Sequence, residues 1–344
     1  MRPTLTAAAV AALALGGATA AAAQGTLNLY NWGNYTSPEL LEKFREETGI
    51  EVTVTDYDSN TTALAKVEAG GSGFDLVVPS ANYVPIFVEK GLLQPLDHAR
   101  LENIGNIAER WRDVPWDPGR AHTIPWQWGT TGVAVNTSAY GGDPNTSDIF
   151  LDPPEELVGR VNVVPEMSDV MALAIFNVGG EACTDDLEVL RAARDKLMAA
   201  KPSWISMDYG TTDKLSSSDL MASVNWNGST MRARMANPDV VYGYPREGYP
   251  LWMDSVGLLA DAENVDEAYR LLDFIMEPEN AAMISEFARY ANGIEGSDEF
   301  MPEEMKDAPE IVVPDEFADA GRFLPTCPPE TTALYTQIWT ELMR

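Results

Sequence analysis

Between residues 26 and 91 the chain alternates apolar extended segments with helix-like segments, and this order limits the folds open to it. Strands are predicted for TLNLYNW at 26–32, IEVTVT at 50–55 and FDLVVP at 74–79. Helices are predicted at 37–49, 61–69 and 83–90. A continuous apolar run such as FDLVVP is typical of a strand buried in a parallel sheet. The order strand–helix–strand predicts an α/β fold with helices that cross over between the strands.

A longer extended segment, TIPWQWGTTGVAVN at 123–136, predicts a strand that leaves the first α/β unit and enters a second. Further strands are predicted at 161–164, 220–226, 240–244 and 255–260, and helices at 185–200, 265–276 and 278–288. The chain without its N-terminal segment has about 320 residues, more than one hydrophobic core usually holds. The sequence therefore predicts two α/β lobes joined by a hinge, with a ligand cleft between them.

The N-terminal segment, residues 1–23, has the pattern of a cleavable export signal. Arg2 supplies a positive charge, residues 5–17 form a small apolar run, and alanines 21–23 precede Gln24. This order matches the regions of a secretory signal peptide. The alternative is an ordinary alanine-rich helix. No cysteine lies near the cleavage point for acylation, and no later run of 18 apolar residues predicts a membrane span. We expect an exported protein without a membrane anchor.

The charge balance is strongly acidic, with 23 Lys and Arg against 53 Asp and Glu and a net charge of −30. Nucleic acid is excluded as a partner, because its phosphates would be repelled. The long-range field favours a cationic ligand, although an acidic surface also serves solubility or a salty habitat.

Cysteine and histidine are both rare. Cys183 and Cys327 are the two cysteines of the chain, and in an exported protein an even pair predicts a disulfide, the alternative being two buried thiols. With only His98 and His122 besides, no zinc cluster is expected. The chain also lacks G-x-G-x-x-G, Walker and G-x-S-x-G motifs. We therefore expect no cofactor, no metal and no enzymatic activity.

Aromatic, polar and acidic side chains gather near the ends of the predicted strands. They are Trp32, Tyr35, Ser80, Asn82, Glu166, Asp169, Trp226, Ser229, Trp252, Asp254 and Tyr290. Aromatic faces attract organic cations, and a carboxylate binds an ammonium group strongly where water is excluded. Trp252 and Asp254 flank Met253, so in an extended segment both point to the same side. Each tryptophan is equally compatible with core packing, and the acids with turns or helix starts.

At these residues the sequence resembles the spermidine/putrescine-binding periplasmic proteins of ABC importers. The segments that carry the resemblance are NWGNY at 31–35, FDLVVPSANYV at 74–84, IPWQWGTTGVAVN at 124–136, NWNGS at 225–229, YPREGYPLWMD at 244–254 and YAN at 290–292. The resemblance implies a type II periplasmic binding protein fold, with residues 24–134 and 256–312 as lobe 1 and residues 135–255 and 313–344 as lobe 2. It also implies an ABC permease and ATPase complex at the inner membrane as partners.

The resemblance implies roles for the individual residues. Trp32, Trp226, Trp252 and Tyr290 would wall the polyamine chain, with Tyr35, Ser80 and Asn82 on the first lobe's side. Asp254 would be the main ammonium partner, and Asp169 with Glu166 would hold amines from the second lobe. The sequence departs from the family at Asn34 and Ser229, where relatives carry acids, and at Asn82, where some relatives carry an aromatic residue.

These inferences predict a periplasmic, monomeric solute-binding protein that captures putrescine or spermidine and delivers it to an importer. Two alternatives stay open. The first is a binding protein for another cationic or zwitterionic amine, because Asn34 and Ser229 have lost acidity. The second is a secreted enzyme on the same scaffold, for which the sequence offers His122 as a candidate base.

Overall fold

The computed structural model describes residues 25–344, and the predicted export signal at residues 1–23 lies outside the described residues. The strands are β1 Gly25–Trp32, β2 Ile50–Tyr57, β3 Leu76–Val77, β4 Thr123–Asn136, β5 Val161–Asn162, β6 Trp204–Ser206, β7 Ala222–Trp226, β8 Val240–Gly243, β9 Tyr249–Leu258 and β10 Gly321–Phe323. The helices are α1 Pro38–Thr48, α2 Asn60–Glu68, α3 Val84–Glu89, α4 Glu109–Arg112, α5 Asp148–Leu151, α6 Met167–Asn177, α7 Leu187–Ala200, α8 Thr212–Ser216, α9 Asn227–Ala236, α10 Val265–Phe274, α11 Pro278–Ala288, α12 Glu303–Lys306, α13 Asp315–Ala318 and α14 Pro329–Leu342.

The first helix shows how local sequence fixes the N-terminal unit. The Ser37 side chain accepts a hydrogen bond from the Leu40 amide at 3.2 Å, and Pro38 occupies the first turn. Gly49 ends the helix in the left-handed conformation, with φ of 72°. Leu40 and Phe44 face the core and are fully buried. This helix crosses from β1 to β2, as the sequence predicts.

The strands form one continuous sheet in the order β2-β1-β3-β9-β4-β7-β5-β6, with β10 beside β9 and β8 beside β4. Strands β2, β1 and β3 are parallel, and so are β7, β5 and β6. The two parallel sets are separated by the antiparallel strands β9 and β4. Each set therefore forms the sheet of one α/β lobe, which agrees with the predicted fold class.

Strands β4 and β9 pass from one hydrophobic core to the other. Trp126 of β4 and Met253 of β9 belong to the first core, whereas Val133 and Tyr249 belong to the second. Gly129 lies between the two cores, and a Cβ there would meet the Trp252 ring at 2.7 Å. The predicted lobe boundaries, at 134/135 and 255/256, lie inside these two strands, and the division of the chain stays a prediction. We group Asp254 with the first lobe because its neighbour Met253 packs in the first core, although the predicted boundary would place it in the second.

Two strand predictions differ from the structure. The predicted strand at 74–79 pairs only over Leu76–Val77. The strand predicted at 255–260 begins earlier, at Tyr249, because its first half pairs with the distant strand β4. Trp252 and Asp254 therefore lie inside a strand and not before one.

The structure also contains three long helices that the sequence patterns do not predict: α6, α9 and α14. Helix α6 is buried on nearly all sides, so it has no polar face. Its sequence therefore lacks the alternation of apolar and polar residues by which an amphipathic helix is predicted. None of the helices within residues 25–344 combines the length and apolar character needed to cross a membrane.

The predicted disulfide is confirmed. Cys183, in the loop before α7, is bonded to Cys327, which precedes α14, with the two Cα atoms 5.1 Å apart. The bridge joins positions separated by 144 residues. It ties the C-terminal segment to the second lobe, where Tyr335 and Leu342 of α14 pack into the core.

Replacing both cysteines, Cys183→Ser with Cys327→Ser, should lower the free energy of unfolding by about 2–5 kcal/mol, because the bridge restricts the unfolded chain. Urea unfolding followed by tryptophan fluorescence measures the change. The matched control is the wild-type protein in reductant, which should lose the same stability. An unchanged unfolding midpoint in the double variant would show that the bridge contributes nothing.

Candidate functional site

A solvent-connected cleft lies between the two hydrophobic cores, with about 620 Å³ of space between protein atoms when its opening to solvent is included. We call it the cleft. All eleven residues that the sequence singled out line it: Trp32, Tyr35, Ser80, Asn82, Glu166, Asp169, Trp226, Ser229, Trp252, Asp254 and Tyr290. The structure thus brings the predicted set together in one place, and the ligand-binding role of each residue stays a prediction.

Both lobes contribute residues to the lining of the cleft. On the first side are the loop after β1, the turn after β3, strand β9 and the segment after α11. On the second side are the N-terminal turns of α6 and α9, each of which begins shortly after a parallel strand, β5 or β7. Ligands of α/β proteins bind at such strand ends. The strand-end reasoning from the sequence therefore located much of the cleft lining.

Asp254 is a buried carboxylate on the first side of the cleft, 5% exposed. Its Oδ1 accepts a hydrogen bond from the Ser80 hydroxyl at 2.6 Å, and the Ser80 hydroxyl accepts one from Asn60 Nδ2 at 3.0 Å. Burial raises the pKa of Asp254 to about 7, although the hydroxyls of Ser80 and Tyr35 favour its charged form. Met253, on the opposite face of β9, is fully buried in the core, as the alternation predicts.

Asp169 is the corresponding buried carboxylate on the second side, 6% exposed. Its Oδ2 accepts hydrogen bonds from the Thr131 hydroxyl at 2.7 Å and from Trp226 Nε1 at 3.0 Å. Burial raises the pKa of Asp169 to about 7, and the nearby charge of Glu166 raises it further. The Trp226 bond also fixes the orientation of that indole ring on the wall of the cleft.

Glu166 lies in the cleft but both of its oxygens contact the protein. Oε1 accepts from the Ser168 hydroxyl at 2.6 Å and caps α6, while Oε2 accepts from the Asn60 amide at 3.1 Å. Asn60 is the first residue of α2, on the other side of the cleft, where a negative charge is favourable. Burial raises the pKa of Glu166, and these hydrogen bonds oppose the shift. Glu166 therefore connects the two lobes.

Aromatic rings cover the walls between the carboxylates. Trp32 and Trp226 face each other across the cleft with ring centroids 6.3 Å apart, and Trp252 contacts Tyr290 edge to face at 5.1 Å. Tyr35 packs against Tyr290 at 5.5 Å. Such geometries favour well-ordered aromatic clusters. The result is a negatively charged, largely apolar slot, which suits the methylene chain and ammonium groups of an alkylamine.

The sequence did not identify four polar residues of the cleft: Asn60, Ser168, Tyr209 and Arg232. The Tyr209 hydroxyl donates to the Gly33 carbonyl at 2.9 Å. Arg232 Nη1 donates to the Asn34 carbonyl at 3.0 Å, and Nη2 donates to the Ser229 hydroxyl at 3.1 Å. Arg232 lies on α9, which the patterns did not predict, so its position in the cleft could not be predicted either. The bonds of Tyr209 to Gly33 and of Arg232 to Asn34 join the two lobes across the cleft, so the lobes are in a closed arrangement.

The two histidines do not line the cleft. His122 contacts Asp117 at 3.4 Å, and Asp117 in turn accepts hydrogen bonds from Thr123. Within residues 25–344, no three His, Cys, Asp or Glu side chains are placed to hold a metal ion.

The comparisons with known proteins agree with this geometry. Residues 39–313 match the bacterial extracellular solute-binding protein family. A spermidine/putrescine-binding periplasmic protein of Escherichia coli is 34% identical over 288 residues, covering 82% of each chain. A putrescine-binding periplasmic protein of Pseudomonas aeruginosa is 29% identical and covers 96% of each chain.

The fold is shared with solved structures as well. A structure described as a spermidine/putrescine ABC transporter from Listeria monocytogenes is 29% identical, with a TM-score of 0.87, and covers 92% of this chain and 98% of that one. The predicted resemblance and the periplasmic binding protein fold are thus confirmed. The chain belongs to the bacterial extracellular solute-binding protein family, as a relative of the spermidine/putrescine-binding periplasmic proteins.

Proposed function

We propose that the protein captures a polyamine-type alkylammonium solute in the cleft, in the periplasm, and delivers it as a monomer to an ABC permease and ATPase complex. The observation that carries this proposal is a pair of buried carboxylates, Asp254 and Asp169, that face one aromatic slot from opposite lobes. Relatives bear the names of spermidine/putrescine-binding and putrescine-binding periplasmic proteins, which supports the solute class, the compartment and the kind of transporter.

Among the residues that the structure describes, the two carboxylates have no basic partner. Within the described part of the chain, no Lys, Arg or His nitrogen lies within 4.0 Å of Asp254 or Asp169. A buried carboxylate without a counterion is costly, and its raised pKa expresses that cost. An ammonium group would supply the missing charge and donate up to three hydrogen bonds. The site is therefore complementary to an amine.

Closure of the two lobes would serve as the capture step. A ligand that contacts both lobes stabilises the closed form and shifts the population towards it. Strands β4 and β9 connect the lobes, so small changes along them would open the cleft. No bond is made or broken in this mechanism. We propose accordingly that the protein is not an enzyme, which fits the absence of both histidines from the cleft lining.

Isothermal titration calorimetry with putrescine, cadaverine, agmatine and spermidine tests the proposal directly. We expect at least one of these amines to bind with a dissociation constant below about 100 μM. If every one of them binds more weakly, the protein does not capture this class of solute.

Substitution Asp254→Asn keeps the shape of the side chain and removes its charge. We expect the dissociation constant for the best-bound amine to rise by about tenfold or more, since a hydrogen bond to a charged group contributes about 1.5–3 kcal/mol. The matched control is Asp261→Asn, at an exposed position in the turn after β9. Equal affinities in the two variants would remove Asp254 from the binding site.

The raised pKa values predict a pH dependence of binding. Asp254 and Asp169, with pKa values of about 7, become protonated as the pH falls below that value, whereas the amine stays charged. Since the ammonium requires the ionised carboxylates, the dissociation constant should rise by about tenfold or more from about pH 8 to about pH 6. Asp254→Asn should show a shallower dependence. Calorimetry across this range would contradict the assignment if affinity did not change.

A further inference from the structure

A short C-terminal segment, residues 321–327, runs from the second hydrophobic core to the first and back again. We call it the strap. We propose that the strap limits how far the two lobes separate, and that the Cys183–Cys327 bridge sets its length and thereby slows release of a bound solute. The effect on release rests on the proposed function, because it requires an amine in the cleft.

The strap contacts the two cores in turn. Before it, Phe317 is buried in the second core. Strand β10 then pairs in parallel with residues 249–251 of β9 and brings Phe323 to the first core, where its ring centroid lies 5.4 Å from that of Trp116. Cys327 packs against the second core again. The strap is therefore a connection between the lobes in addition to β4 and β9.

Between its two contacts with the cores the strap passes along the cleft. Leu324 is one of the lining residues, and the Thr326 hydroxyl donates to the Asn82 carbonyl at 2.8 Å. Asn82 lies on the first side of the cleft, in the turn after β3. The hydrogen bond thus joins the C-terminal segment to the first lobe beside the ligand site, and separation of the lobes would break it.

The disulfide makes the strap short. Phe323 is held at the first core, and Cys327 is bonded to Cys183, in the loop between α6 and α7 of the second lobe. From 323 to 327 there are four Cα–Cα steps, which span about 14 Å when fully extended. Pro325 stiffens this stretch, because its ring fixes φ.

Without the bridge the strap would be longer. The three residues after Cys327 are exposed, and the next buried residue is Thr331 of α14, at 2% exposure. Eight Cα–Cα steps then separate the contact at Phe323 from the second core, with a reach of about 28 Å. Doubling the length of a flexible tether lowers the effective concentration of its ends by about threefold. Loss of the bridge should therefore shift the lobes towards the open form by about this factor.

Stopped-flow measurement of amine release, followed by tryptophan fluorescence, tests the proposal. The probe is the best-bound of putrescine, cadaverine, agmatine and spermidine. We expect the release rate constant to rise about threefold in the double variant Cys183→Ser with Cys327→Ser. Thr326→Val, which keeps the bridge and removes the hydrogen bond to Asn82, should raise it about twofold to tenfold.

A matched control separates the strap from general stability. Leu197→Ala, in α7, truncates a side chain buried in the second core and should destabilise the protein about as much as loss of the bridge, without touching the strap. Its release rate constant should equal that of the wild type. Reduction of the wild type by a dithiol reagent, which passes two electrons and two protons to the sulfurs and itself becomes a disulfide, should reproduce the double variant.

Small-angle X-ray scattering of the ligand-free protein provides a readout that needs no amine. We expect a larger radius of gyration in the double variant than in the wild type or Leu197→Ala. If the double variant loses stability while its release rate constant and radius of gyration match the wild type, the bridge only stabilises the second lobe and the inference is wrong. If no amine binds to the wild type, the proposed function has failed, and the scattering comparison still decides whether the strap limits opening.

Discussion

The antiparallel pairing of β4 with β9 is the interaction on which the rest of the structure depends. Each of these strands belongs to both hydrophobic cores, so the pairing between them holds the two parallel sheets in one continuous sheet. It also places Asp254 beside the crossing point, with Met253 facing the first core and Trp252 facing the cleft. A change in the twist of this pair would move one lobe against the other without disrupting either core. In our proposal the ligand site and the hinge are therefore built from the same strands.

Much of the fold and most of the site could be predicted because the signals are local. Ser37, Pro38 and Gly49 determine α1 within its own sequence. The strand-end rule located the cleft residues that follow β1, β3, β5 and β7, since carboxyl ends of parallel strands meet at one edge whatever the loops contain. Trp252 and Asp254 lie inside the antiparallel strand β9, so this rule does not explain their place in the cleft. The long extended segment at 123–136 predicted the two lobes, and the family resemblance added the division of the chain between them, which no local pattern contains. The lobe boundaries themselves are less defined, because the core changes gradually along β4 and β9.

The features that could not be predicted depend on distant contacts. Strand β9 contains Pro250, which on sequence grounds argues against a strand, and its first half is held by pairing with β4 and β10. Helices α6 and α9 are buried on most sides and so lack an amphipathic pattern. Without α9 the sequence could not bring Arg232 next to Asn34, about two hundred residues earlier in the chain. The resemblance implied that Glu166 holds an amine with Asp169; its contacts with Ser168 of α6 and Asn60 of α2 come from parts of the chain that no local pattern connects, and its role toward an amine stays a prediction.

The balance between open and closed forms follows from charges contributed by opposite lobes. In the closed arrangement Asp254 lies close to Asp169 and Glu166. The negative charges of these two residues raise the pKa of Asp254, so their interaction with its ionised form is unfavourable. The bonds Glu166–Asn60, Tyr209–Gly33 and Arg232–Asn34 oppose it. Each replaces hydrogen bonds to water, so the neutral bond contributes about 1 kcal/mol and the two that involve a charged group about 1.5–3 kcal/mol each. An ammonium group between the carboxylates changes the sign of the electrostatic contribution. In an empty closed cleft the carboxylates would repel one another, whereas in a filled one each would attract the ammonium group. The ammonium group can contact carboxylates of both lobes only when the lobes are closed, so the ligand would stabilise the closed form.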